Sequence, residues 1–163
     1  MENGSQILQY ALSGLSNGAI YALIGFGFAI IYNATGIINF AQGEFVMLGG
    51  MLTIFLLGAC GLSLVPAIII AVALSTATGF VFERLAIRPL KNASPLGLVI
   101  ITIGASILIR GAAMLIWGKD THSLPPFSGN EPLDILGATM MPQNFWIVGV
   151  TVVIIAASKF FFH

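Results

Sequence analysis

Apolar positions dominate the chain in five blocks, separated by short polar stretches. The first runs from Ile7 to Ile31 with no charged residue. The second is FVMLGGMLTIFLLGAC, 45–60; the third runs from Leu64 to Phe82, entered through Pro66; the fourth from Leu96 to Trp117; the fifth from Phe145 to Ser158. A helix rises about 1.5 Å per residue, so roughly 20 residues cross a hydrocarbon core of about 30 Å. The pattern predicts an all-α polytopic membrane protein of about five transmembrane helices. The second block falls short, reaching only about 24 Å, so it must recruit residues from 36–44 or fail to cross cleanly. That neighbouring stretch, GIINFAQGEFVMLGG (36–50), holds four glycines together with Asn39, Gln42 and Glu44. It therefore reads as a broken or re-entrant segment.

Composition agrees. Only 7% of the 163 residues are charged and 58% are apolar, with a mean hydropathy of +1.01; a soluble domain carries about 25% charged residues. Lipid must be the solvent. The net charge of zero offers no nucleic-acid footprint. A single cysteine, Cys60, excludes an internal disulfide. The N-terminus has no cationic region ahead of its apolar run, so the first block is read as retained. Arg84, Arg88 and Lys91 outnumber Glu83 in the 82–95 loop, whereas Lys119 faces Asp120, Glu131 and Asp134 in the 119–144 loop. The positive-inside rule then puts 82–95 in the cytoplasm, 119–144 outside as an extracytoplasmic loop, and the N-terminus outside. Within the outer loop, LDILGATMM gives a weak hairpin signal around Gly137.

Two stripes of small residues predict tight helix seams. Ala11, Gly14, Gly18, Ala22, Gly25 and Ala29 share one face of the first span, and Gly97, Gly104, Gly111 and Gly118 recur in the fourth. Polar groups at membrane depth are the candidate functional residues. Asn39, Gln42, Gly43 and Glu44 either line a water-filled path or serve the helix start, where Glu44 meets the positive dipole end and Asn39 caps. Arg110 reads first as an anchor snorkelling to the outer interface, and second as a partner for buried polar groups. The Glu83, Arg84, Arg88 and Lys91 group sets topology or meets a cytoplasmic partner. His122 and His163 have no metal-ligand spacing, and no phosphate-binding glycine loop is present, so neither a cofactor nor an enzymatic activity is expected. Energy for any transport must come from another chain or an ion gradient.

INFAQGE at 38–44 and ERLAIRPL at 83–90, in this order and separation, resemble the permease subunits of branched-chain amino acid ABC importers, and the resemblance runs from about Ser13 to Ser158. It implies a multi-pass protein of the bacterial inner membrane that works with a second permease subunit, cytoplasmic ATP-binding subunits and a periplasmic substrate-binding protein, and carries Leu, Ile, Val or related small amides. It also places 38–44 near the substrate path. Gln42 stands where the family usually has His, so a proton-linked role there is not implied. A family member would continue past KFFFH through a coupling helix and further spans, so residues 1–163 are expected to be the N-terminal portion of such a permease domain. The competing readings are a nontransporting membrane scaffold and a fragment of a secondary transporter. The last would want paired acids at the bilayer midplane, which spans three to five lack.

Overall fold

The computed structural model describes residues 2–90, 94–124, 126–129, 131–135 and 137–161. Among the described residues there are five α-helices and one small hairpin: α1 (Glu2–Thr35), α2 (Gln42–Gly58), α3 (Leu64–Phe82), α4 (Pro95–Trp117), β1 (Leu133–Ile135), β2 (Ala138–Met140) and α5 (Pro142–Phe161). Four helices are long and apolar enough to cross a membrane: those covering Gly4–Thr35, Leu64–Leu90, Pro95–Trp117 and Pro142–Phe160. The fifth, α2, is apolar but has only 17 residues. It recruits Gln42, Gly43 and Glu44 and no more, so the break is shorter than 36–50. Residues 36–41 leave the helix, whereas Gly43, Gly49 and Gly50 lie inside regular helix.

Local chemistry sets these boundaries. At the end of α1, Gly36 turns to φ +67° and its N–H donates to Tyr32 O at 2.7 Å, the left-handed glycine stop that satisfies an orphan carbonyl. Thr35 Oγ1 then accepts from Ile37 N–H. Helix α4 opens with Ser94 as N-cap, accepting from Gly97 N–H at 3.2 Å, and with Pro95 in the first turn. It closes on Gly118 at φ +80°; this glycine is a helix stop rather than a member of the packing stripe.

Within the 82–95 stretch, residues 83–90 are helical rather than loop. Helix α3 continues through a π-helical turn, Glu83–Ile87, and a 3-10 turn, Arg88–Leu90. Glu83, Arg84 and Arg88 therefore ride on helix, because Glu, Arg, Leu and Ala are all good helix formers and Pro89 falls at the end where it does least harm. Lys91 lies outside the described residues.

Two units are distinguishable. Residues 30–124 form one; residues 1–29 with 125–163 form the other. In the first unit, α2 and α3 make an antiparallel pair across the short 59–63 link. Ala67 and Ala71 on α3 are buried. One turn on, Ser75 Oγ would lie 3.7 Å from a Cβ at Gly49, and further along Phe45 lies 3.9 Å from a Cβ at Gly79. Ala67, Ala71, Ser75 and Gly79 thus form a small-residue seam that lets α2 approach, closed by the Phe45–Phe82 ring pair at 6.1 Å. The glycines expected to form seams behave differently: a Cβ at Gly14, Gly18, Gly25, Gly104 or Gly111 would meet nothing within 4 Å. In the second unit the hairpin signal is realised, with Leu133 opposite Met140 and Ile135 opposite Ala138 around Gly137 at φ +81°.

Candidate functional site

The break between α1 and α2 is held by α4. Thr102 is fully buried. Its hydroxyl accepts from Phe40 N–H at 3.2 Å and donates to Val99 O at 2.8 Å. A hydroxyl has one hydrogen, so the Ile38 carbonyl at 3.5 Å is a secondary contact. One turn up α4, Ser106 Oγ donates to Glu44 Oε1 at 3.1 Å, and one turn further Arg110 Nη2 donates to the same oxygen. Thr102, Ser106 and Arg110 are spaced by four, so they lie on one face about 6 Å apart along the axis. They form a polar ladder that fastens both the non-helical segment and the first turn of α2 to α4.

Glu44 occupies that first turn, where the helix dipole favours a negative charge. The dipole is not its main partner. Glu44 is only 5% exposed, and a buried carboxylate without a cation is costly; Arg110 supplies the cation. The anchor reading of Arg110 is thereby corrected. Its guanidinium turns along the helix to Glu44 rather than out to the interface.

Asn39 does not cap α2. Its Oδ1 accepts from Ala41 N–H at 3.0 Å, an Asx turn inside the break; Ala41 itself is the N-cap residue, without a side-chain bond. Ala41 is fully buried, which pins the chain where it re-enters helix.

A cavity of about 430 Å³ borders the break. Asn39, Gln42, Ser75, Thr76 and Thr102 supply polar lining, and Ile37, Phe45, Val46 and Phe82 supply apolar lining. Glu83 and Ile87 of the π-helical turn reach its rim. A neighbouring groove of about 450 Å³ shares Phe45, Val46, Ser75 and Thr76 and extends along α2 and α3 to Thr53 and Leu124. Its volume and its few polar groups on apolar walls suit a small ligand with one polar and one aliphatic end. Of the four residues read from the stretch 39–44, Asn39 and Gln42 line this cavity. Glu44 sits against α4 instead, and Gly43 meets open space. Glu83 is brought to the cavity; Arg84 and Arg88 are exposed on the same helical extension.

Thr102 and Ser106 went unread in the sequence. Their signal is a period of four, Thr-x-x-x-Ser-x-x-x-Arg, in a span that is otherwise apolar or glycine.

The match to known proteins covers the same elements. Residues 10–161 match the family model described as "Branched-chain amino acid transport system / permease component". The chain belongs to this family of membrane permeases. Its relatives include the high-affinity branched-chain amino acid transport system permease protein BraD of Pseudomonas aeruginosa, 34% identical over 146 residues, covering 85% of this chain and 43% of BraD. LivH of Escherichia coli K12, of the same description, is 34% identical over 155 residues, covering 86% of this chain and 50% of LivH. LivH of Salmonella typhimurium is 32% identical over 158 residues, with 86% and 50% covered. The chain thus spans about half the length of these curated relatives. No solved structure matches it.

Proposed function

We propose that this chain forms part of the transmembrane path of an ABC importer for branched-chain amino acids, with the cavity beside the 36–41 break as a section of that path. One observation carries the reading: the non-helical stretch 36–41 between α1 and α2 borders a cavity with polar and aliphatic walls. Irregular backbone at membrane depth is tolerated where it lines such a space or is buried in protein. A leucine-like substrate needs both kinds of wall, amide and hydroxyl groups for its polar end and Ile, Val and Phe for its side chain. The Glu44–Arg110 pair stands behind the wall and fixes it.

The relatives named above are branched-chain amino acid permeases, which supports that substrate class. In this reading a second permease subunit, ATP-binding subunits on the cytoplasmic side and an external substrate-binding protein complete the machine. Arg84 and Arg88 face the cytoplasm, the N-terminus and the 119–144 loop face outward, and the open Gly14, Gly18 and Gly25 face receives a helix from a neighbouring polypeptide.

Filling the cavity tests the proposal. Thr76 lines it and is exposed, with its hydroxyl bonded only to its own helix at Val72 O, so Thr76→Trp obstructs the space without removing a tertiary bond. Leucine uptake by the assembled transporter in proteoliposomes should fall by about tenfold or more, a barrier of roughly 1.4 kcal/mol. Leu115→Trp, at a position 90% exposed and away from the cavity, should leave uptake near normal. Normal uptake by Thr76→Trp with assembly intact would remove the cavity from the path, leaving the scaffold reading.

A further inference from the structure

The cavity beside the break has one ionisable side chain among its described lining residues, and it is an acid, Glu83. The irregular end of α3 brings it there. Ser75, Gly79, Glu83 and Ile87 all line the cavity, each four residues after the last. In a straight α-helix such positions advance about 40° per step and soon leave any single face. The turn Glu83–Ile87 is π-helical instead, with Arg88 N–H donating to Glu83 O. This wider i→i+5 turn winds back part of the advance and keeps Ile87 on the cavity side with Glu83. Arg84 and Arg88 share the extension, but neither lines the cavity, and among the described residues neither is within salt-bridge distance of Glu83. Glu83 is exposed, so its carboxylate is open to a ligand.

The other polar groups divide by what they have left to offer. A hydroxyl has one hydrogen. Those of Thr35, Thr76 and Thr102 go to carbonyls of their own helices, Ile31 O at 2.7 Å, Val72 O at 2.7 Å and Val99 O at 2.8 Å. Towards the cavity these threonines show lone pairs. Ser75 Oγ is buried on the Gly49 side. Asn39 is the reverse: its Oδ1 is engaged by Ala41 N–H, so its amide offers N–H donors. The α3 side of the cavity thus accepts hydrogen bonds and carries a negative charge, and the break donates through Asn39.

We propose that Glu83 is the specificity-determining residue of this cavity. Its carboxylate takes the ammonium group of a small α-amino acid, Thr76 adds an acceptor on the same helix, and Asn39 donates to the substrate carboxylate. The proposal rests on the reading of the cavity as a section of the substrate path, and it adds a selection rule. A primary amine is required, and the 2-oxo acid of the same carbon skeleton is refused, because it brings a negative charge and no donor to an acceptor wall. Opposite charges attract more strongly where water is partly excluded, and like charges repel more strongly there.

The experiment uses the assembled transporter in a Cys60→Ser background, with Val46→Cys as the sole cysteine. Val46 lines the cavity and is 55% exposed. Methyl methanethiosulfonate, a small uncharged thiol reagent, is not steered by the charge at position 83, and each rate is compared with the unprotected rate of the same variant. Leucine, 3-methylbutylamine and 4-methyl-2-oxopentanoate share one aliphatic tail and are added directly at pH 7, without binding protein, so that only the permease selects. With Glu83 present, leucine and the amine should protect Val46→Cys at concentrations about tenfold below that of the oxo acid, the scale of one charge-assisted hydrogen bond. Glu83→Gln keeps the shape and removes the charge. It should raise the half-protecting concentrations of leucine and the amine about tenfold and leave that of the oxo acid unchanged. Equal protection by the amine and the oxo acid in the unmodified cavity, or an equal loss for all three probes in Glu83→Gln, would overturn the role of Glu83 while leaving leucine in the cavity. No protection by leucine, in a complex that takes leucine up, would sink the path reading and this proposal with it.

Discussion

Glu44 and Arg110 are each expensive in lipid and tolerable together. Breaking a buried pair by removing one partner leaves the other charge uncompensated, at a cost of about 3–5 kcal/mol in well-buried cases; Arg110 is 64% exposed at its side chain, so a smaller loss is expected here. Arg110→Ala should lower stability, because it leaves the Glu44 carboxylate buried without its cation. Glu44→Gln combined with Arg110→Gln should lose less than the sum of the single changes, since it removes both charges together. A double-mutant cycle on thermal unfolding in detergent measures this, and strict additivity would show that the two residues do not interact. Thr102→Val keeps the shape but strands Phe40 N–H, so it should cost about 1–3 kcal/mol and speed amide exchange at Phe40 selectively. The acid at position 44 was visible in the sequence as an anomaly. Its partner was visible too, but the short distance from Arg110 to the helix end made an interfacial anchor the simpler account. Only the three-dimensional register of α2 against α4 brings the two together.

Among the elements, the apolar blocks were legible to within a few residues because membrane length and hydrophobicity leave little freedom. The hairpin around Gly137 was legible through its turn glycine. The extension of α3 past Phe82 was hidden, because charges and a proline resemble a loop even where local helix propensity is high. The glycine stripes expected to form seams meet no helix within the chain among the described residues. Glycine spacing marks a face that another helix could approach, and says nothing of whether that helix belongs to the same chain. Within the chain it is Ala67, Ala71, Ser75 and Gly79 that meet α2. Gly79→Leu should therefore push against Phe45 and cost about 1–3 kcal/mol by overpacking, whereas Gly18→Leu should leave the isolated chain's thermal stability nearly unchanged. If Gly18 faces a neighbouring polypeptide, as proposed, Gly18→Leu should still reduce co-purification of the partner permease. Equal thermal losses in the two variants would contradict this division of roles.

At the scale of the whole molecule, the account joins a helix break, a ladder that fixes it and a cavity it borders into one section of a substrate path. Family membership was legible from INFAQGE and ERLAIRPL. The path was not, because Asn39 and Gln42 from the break meet Ser75, Thr76 and Thr102 from two other helices only after folding. The proposed orientation predicts that, in a Cys60→Ser background, Ser128→Cys reacts with a membrane-impermeant thiol reagent added to intact cells and Leu90→Cys does not; the reverse pattern would invert the topology. Substrate protection at the cavity tests the central claim most directly. With Thr76→Cys as the sole cysteine in the assembled transporter, the rate of modification by a small polar thiol reagent is measured with and without saturating leucine-loaded binding protein during turnover. The account predicts that leucine slows modification at Thr76→Cys and leaves a sole cysteine at Leu115 unaffected. Equal rates at Thr76→Cys with and without leucine, in a complex that still transports it, would contradict the account.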